Sequence, residues 1–251
     1  MEQPLDLALD GAIATITLNR PAKHNVLGVG DLPGFHALLD RVAASPARVL
    51  VLTGSGPKAF CAGVDLGDIL ATDWRDNPVE ALIDRVESFA LPTVAALNGL
   101  AFGAAADLAL ACDLRLGVAG MRLGMPPARL GVVLHESGLR RFATRLSANA
   151  ARRLLLGAET FEADELWRCG YLDRVLPPER LGRETRALAR TIAGLAPVAV
   201  ATMKRALAEI ERGTLDGARL KAETLACFAS DDVKEGLAAF AAKRPPRFKG
   251  R

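Results

Sequence analysis

Apolar and polar positions change period along the chain. Leu5–Leu9 and Ile13–Leu18 alternate apolar with polar or small residues, and Asp10-Gly11 between them predicts a hairpin turn. Over Gly30–Ala43, Leu32, Phe35, Leu38, Leu39 and Val42 recur at helical spacing. Val49–Leu52 is a short, continuously apolar run, the pattern of a strand covered on both faces, and Thr53-Gly54-Ser55-Gly56-Pro57 ends it. Next come helices near Asp65–Ala71 and over Val79–Phe89, a buried strand at Thr93–Leu97, a small-residue helix at Gly103–Ala111 and a strand at Leu114–Val118. From Glu136 onward helical stretches dominate, and only Arg174–Leu176 reads as extended. Leu188–Glu211 (interrupted by Pro197), Leu215–Phe228 and Val233–Ala242 read as consecutive amphipathic helices. Strands with crossover helices, then helices alone, predict an α/β core over residues 1–190 and a helical C-terminal region over residues 191–251.

Composition narrows the class. Of 251 residues, 50% are hydrophobic and 24% charged, enough to bury one large core. The net charge of +3 is too weak a bias to argue for nucleic acid. It is also uneven: residues 243–251 hold five basic side chains and no acid, so the rest of the chain is slightly acidic. Met1, Glu2, Pro4 and Asp6 do not make the start of a signal peptide. The longest apolar stretch, Leu91–Ala106, is broken by Pro92, Thr93 and Asn98, whereas a membrane span needs ~20 apolar residues. A cytoplasmic protein with no membrane or nucleic-acid partner is therefore expected. Cys61, Cys112, Cys169 and Cys227 lie too far apart in sequence for a zinc cluster, so reduced, mostly buried thiols and no metal are expected.

Two glycine-containing elbows stand where chemistry is possible: Phe60-Cys61-Ala62-Gly63-Val64-Asp65-Leu66, and Asn98-Gly99-Leu100-Ala101-Phe102-Gly103-Ala104-Ala105-Ala106-Asp107. Each joins a strand to a helix. Small residues admit a ligand close to the backbone, and the first N–H groups of a helix have no partner within it. Two such groups aimed at one point would stabilise an oxyanion. Close helix–sheet packing is the competing account of the same small residues. There is no Gly-x-Gly-x-x-Gly after a strand, no phosphate-binding Walker loop and no His-Glu-x-x-His. Arg140, Arg141, Arg145, Arg152 and Arg153 read as a solvated or intersubunit face.

Leu18-Asn19-Arg20-Pro21 with Asn25, Val49–Gly54, Phe60–Asp65, Asn98-Gly99 through Cys112-Asp113, Leu130-Gly131-Val132 and the closing Lys243-Arg244, Pro246 and Phe248 together resemble the crotonase (enoyl-CoA hydratase/isomerase) superfamily, in order and separation along nearly the whole chain. The resemblance implies a crotonase-like spiral of ββα turns followed by a C-terminal helical trimerisation region. It also implies a coenzyme A thioester as substrate with no other cofactor, and a homotrimer or dimer of trimers. Carried over by position, the oxyanion hole is the backbone N–H groups of Val64 and Ala104. Arg20, Lys23, His24, Ala62, Asp65 and the tail's Lys243 stand where relatives meet coenzyme A, although Lys243 also reads as a solvated terminal charge.

The departures bear on the reaction. Family hydratases place one Glu where Asp107 stands and a second where Pro127 stands; paired there, the carboxylates share a water and deliver a proton. Pro127 has nothing to titrate, so that pair is broken. Asp107 keeps a carboxylate, one methylene shorter, unless it is only a helix-terminus charge facing solvent. In some family branches a catalytic Asp aligns with His135. Either His135 or its neighbour Glu136 is a candidate second group, and a helix cap is the competing role. The expected activity is double-bond isomerisation or slow, substrate-specific hydration. Pro127-Ala128-Arg129-Leu130-Gly131 also resembles decarboxylases of methylmalonyl-CoA type, and a non-catalytic acyl-CoA-binding protein is the third reading.

Overall fold

A computed structural model describes residues 3–250; Met1, Glu2 and Arg251, the last closing the basic tail, lie outside the described residues. In chain order the elements are β1 (Leu5–Asp10), β2 (Ile13–Leu18), α1 (Leu32–Ala43), β3 (Val49–Gly54), β4 (Ala59–Cys61), α2 (Leu66–Ile69), α3 (Pro78–Glu87), β5 (Thr93–Leu97), β6 (Leu100–Phe102), α4 (Ala104–Ala111), β7 (Leu114–Val118) and β8 (Arg122–Gly124). A 3-10 turn over Pro127–Leu130 leads to α5 (Glu136–Arg145), α6 (Ala148–Leu155), β9 (Thr160–Glu162), α7 (Ala163–Arg168), β10 (Arg174–Leu176), α8 (Pro178–Ala193), α9 (Pro197–Arg212), α10 (Gly217–Phe228) and α11 (Asp231–Ala241).

Two sheets stand side by side, one in the order β1-β2-β3-β5-β7-β10 and the other β4-β6-β8-β9. Each of β3, β5 and β7 in the larger sheet passes to β4, β6 or β8 in the smaller before the chain returns through helix, so the ββα unit repeats as a spiral. The larger sheet is parallel except at the β1–β2 hairpin, whose turn uses Gly11 at φ +58. The smaller sheet escapes periodicity analysis because its strands are three residues long, too short for alternation to register.

The fully buried run of β5 and the apolar α4 mark the centre of the core. Phe35, Leu39 and Val42 of α1 pack into the same cluster, the face that the helical spacing assigned them. Gly99 permits the step from β5 to β6, because a Cβ there would collide with the Lys58 carbonyl. Residue 190 falls inside α8, which packs on β2, β3, β5 and β7; the chain leaves the sheet at Pro197, where α9 begins. Beyond it, Met203, Leu207, Ile210, Leu225, Phe228, Leu237 and Phe240 are exposed. No helix among the described residues is long and apolar enough to cross a membrane.

Candidate active site

β4 and β6 are parallel neighbours, so the elbows that follow them lie together. At the first, Leu27 N–H donates to the Gly63 carbonyl at 2.9 Å and accepts at its own carbonyl from Asp65 N–H at 2.9 Å. In extended chain successive amides point opposite ways, so Val64 N–H faces away from Leu27. Ala104 opens α4, and its N–H precedes the first intrahelical bonds, from Ala106 and Asp107 to the Gly103 carbonyl. Among the described residues neither amide donates to a backbone or side-chain acceptor. Glycines bring them together. Gly63 (φ +103) and Gly103 (φ +56) hold left-handed backbone, and a Cβ on Gly63 would lie 2.7 Å from the Phe102 carbonyl oxygen and 3.7 Å from the Ala104 nitrogen. Val64 and Ala104 are half-buried, open enough for a ligand oxygen to reach.

One turn along α4, Asp107 is fully buried, not directed at solvent. Arg141 of α5 grips it in a two-pronged ion pair, Nε to Oδ1 at 2.8 Å and Nη2 to Oδ2 at 2.9 Å. His135 Nε2 lies 3.2 Å from Oδ2. Burial by itself would raise the Asp107 carboxyl, but the Arg141 and His135 hydrogen bonds and charges outweigh it and hold it below the ordinary range. Gly138 N–H donates to His135 Nδ1 at 3.1 Å, so His135 is the N-cap of α5 and its Nε2 carries the proton given to Asp107. Gly138 is glycine of necessity, because a Cβ there would stand 2.9 Å from Asp107 Oδ2. Glu136, next in sequence, is exposed and makes no side-chain bond to this group among the described residues. Between the two candidates, the structure brings His135 to Asp107.

The pairing continues between α3 and α5. Arg141 Nη1 reaches Asp84 at 2.7 Å and Glu87 at 3.4 Å, while Glu87 also takes Arg140 at 2.7 Å and Arg145 at 3.2 Å. This corrects the expectation of an exposed arginine face: Arg141 is fully buried and Arg140 and Arg145 are ion-paired, because α3 presents a stripe of acids to them. Arg153 pairs with Glu159 and Glu165, whereas Arg152 is exposed. Arg141 was read only as part of that face, and Asp84 and Glu87 escaped the sequence reading. Their signal was present as opposite charges at helical spacing on two segments.

Of the residues read as contacting coenzyme A, Lys23, His24 and Ala62 share a rim, where the His24 carbonyl accepts from Ala62 N–H at 2.9 Å. Lys23 and His24 are exposed, and His24 takes left-handed φ +51 at the end of a 3-10 turn. Arg20 is paired with Asp31 through both terminal nitrogens, so part of its charge is already answered. Asp65 caps α2 by accepting from Gly67 N–H at 3.0 Å. Lys243, exposed at the end of α11, touches none of these among the described residues. Pro127 is half-exposed in its 3-10 turn, which leaves no carboxylate there. Cys61 lies under the first elbow, and burial pushes its thiol up to about 12, which makes it inert.

A profile described as Enoyl-CoA hydratase/isomerase matches residues 9–251. A crotonyl-CoA hydratase of Syntrophomonas wolfei is 32% identical over 244 residues, covering 94% of this chain and 94% of that protein. A short-chain-enoyl-CoA hydratase of Clostridium acetobutylicum is 29% identical, covering 95% of this chain and 94% of its own. Among solved structures, an enoyl-CoA hydratase from Bacillus anthracis superposes with a TM-score of 0.92 at 28% identity, over 99% of this chain and 100% of the other.

Proposed function

The chain belongs to the enoyl-CoA hydratase/isomerase family, and on that premise we propose that it takes an enoyl-CoA thioester whose carbonyl oxygen rests between the amides of Val64 and Ala104. The observation that carries this reading is the pair of neighbouring main-chain donors without protein acceptors among the described residues. Addition to the β-carbon, or removal of an acidic proton, pushes an electron pair onto that oxygen. Two preorganised amides stabilise the resulting enolate, each worth ~3–4 kcal/mol. Exposed Leu66, Leu70 and Trp74 follow Val64, and exposed Leu130, Val132 and Val133 stand on the loop before α5; these are the apolar surfaces for the acyl chain. Lys23 and His24 at the rim are the coenzyme A contacts in this reading.

Asp107 fixes the charge on the proton-handling side and His135 its orientation, while Glu136 stands outside. With Pro127 in place of a second carboxylate, we expect double-bond isomerisation or slow hydration limited to particular substrates. The exposed apolar side chains of α9, α10 and α11 support assembly as a homotrimer or dimer of trimers. The direct test is loss of enoyl-thioester absorbance with crotonyl-CoA, alongside isomerisation of a 3-enoyl-CoA. Turnover that disappears in Asp107→Asn, with acyl-CoA binding retained, supports the enzyme. One observation favours a second reading: Asp107 is wholly sealed by Arg141 and His135. Binding of acyl-CoA without turnover across a panel of chain lengths would select a non-catalytic binder.

A further inference from the structure

Both oxygens of Asp107 are engaged inside the protein, so the site needs a carboxylate with an open face. α3 supplies one. Glu80, Asp84 and Glu87 form a stripe at helical spacing that faces α5. Down this stripe the arginines stop short: Glu87 is buried among Arg140, Arg141 and Arg145, Asp84 meets Arg141, and Glu80 meets no arginine among the described residues. Glu80 Oε1 lies 3.2 Å from Ser137 Oγ and 3.4 Å from His135 Nδ1, and its side chain is 31% exposed.

The pairings also locate Glu80. It meets Ser137 while Glu87, two turns on, meets Arg145, so α3 and α5 run side by side in the same direction. α4 runs with them, because Asp107 meets His135 and Arg141 while the Leu110 carbonyl accepts from Arg145 at 2.5 Å. The three helices therefore begin at one end, where the Ala104 amide has no acceptor among the described residues.

We propose that Glu80 is the catalytic carboxylate that touches the substrate, oriented by the Ser137 hydroxyl and standing in for the carboxylate missing at Pro127. This rests on the enoyl-CoA reading above. In isomerisation Glu80 takes a proton from the α-carbon. The C–H electron pair becomes the enolate held by the two amides, and Glu80 returns the same proton to the γ-carbon as the double bond shifts. In hydration it takes the proton of a water whose oxygen bonds the β-carbon, and then gives it to the α-carbon. One carboxylate, used twice, balances either reaction. The Ser137 hydroxyl donates to Glu80 and holds it without being consumed.

The experiment uses the full chain with Glu80→Gln and Glu80→Asp. Deuterium uptake at the α-carbon of butyryl-CoA in D2O, crotonyl-CoA hydration and 3-enoyl-CoA isomerisation are followed, together with butyryl-CoA affinity and melting temperature. For Glu80→Gln the expected result is a loss of about 100-fold or more in exchange and kcat, with affinity unchanged, the scale of general acid–base catalysis. Glu80→Asp keeps the first-turn charge of α3, yet withdraws the oxygen by a methylene. It should melt like the wild type and lose roughly tenfold in kcat, on the same scale. Wild-type rates in Glu80→Asp would assign Glu80 a helix-terminus charge only and overturn the proposal, as would near-wild-type rates in Glu80→Gln; both leave the enoyl-CoA reading standing. A wild-type chain that binds butyryl-CoA but neither exchanges nor turns over would overturn that reading and the Glu80 assignment with it.

Discussion

At the two elbows the groups proposed to work are main-chain N–H donors, brought together by Gly63 and Gly103. One turn further along α4, Asp107 belongs to a cluster of side chains drawn from three helices. The elbow site is indifferent to which side chain stands at Val64 or Ala104, since the donors are backbone; it depends on backbone direction. The helix cluster depends on every charge having its partner, since a buried ion left alone is far costlier than the pair is stabilising. A change of side chain should therefore spare the first and break the second, unless it falls on a glycine.

Arg141→Leu is expected to have the largest effect, because it leaves Asp107 buried with only His135 beside it and takes one cation from Glu87. We expect a loss of about 3–5 kcal/mol in denaturant unfolding, partly restored by adding Asp107→Asn. Unfolding like the wild type would show that the cluster does not hold α3, α4 and α5 together. Gly63→Val tests the other side. It puts a branched side chain at left-handed φ against the Phe102 carbonyl, and turnover should fall about 10²–10³-fold, the scale of losing one oxyanion donor. Retained turnover would separate catalysis from the elbows.

Acid sharpens the contrast. The Asp107 carboxyl is lowered in the folded state, so the unfolded chain binds the proton first. Its contribution is fully present above the ordinary value of 3.8 and is lost as pH falls through the depressed folded value. Below about pH 4, stability should decline more steeply in the wild type than in Asp107→Asn; equal slopes would contradict the pairing. Smaller still, His135→Ala removes the cap of α5 and should cost about 1 kcal/mol, whereas Glu136→Ala should stay within about 0.5 kcal/mol and leave turnover unchanged.

The same contrast explains what was legible in the sequence. Phe60–Asp65 and Asn98–Asp107 are contiguous segments whose glycines mark close backbone approach, so the elbows could be read locally. The long helices and the buried strands β3 and β5 also carry their own period. β4, β6, β8 and β9 do not, for three residues form a strand only because a neighbour pairs with them. Arg141 and Glu80 were hidden for another reason. Each is an ordinary charged residue on an amphipathic helix, and only packing α3 against α5 makes one buried and the other a neighbour of His135. The choice of His135 over Glu136 likewise waited for the cap geometry.

Val64 and Ala104 are proposed to donate together to a thioester oxygen. Difference infrared spectroscopy of an acyl-CoA carrying a 13C-labelled carbonyl, bound to the full chain, reads this bond directly. The carbonyl stretch should move to lower wavenumber on binding and return toward its free position in Gly63→Val. A bound thioester whose carbonyl stretch matches that in water or lies above it would contradict the account.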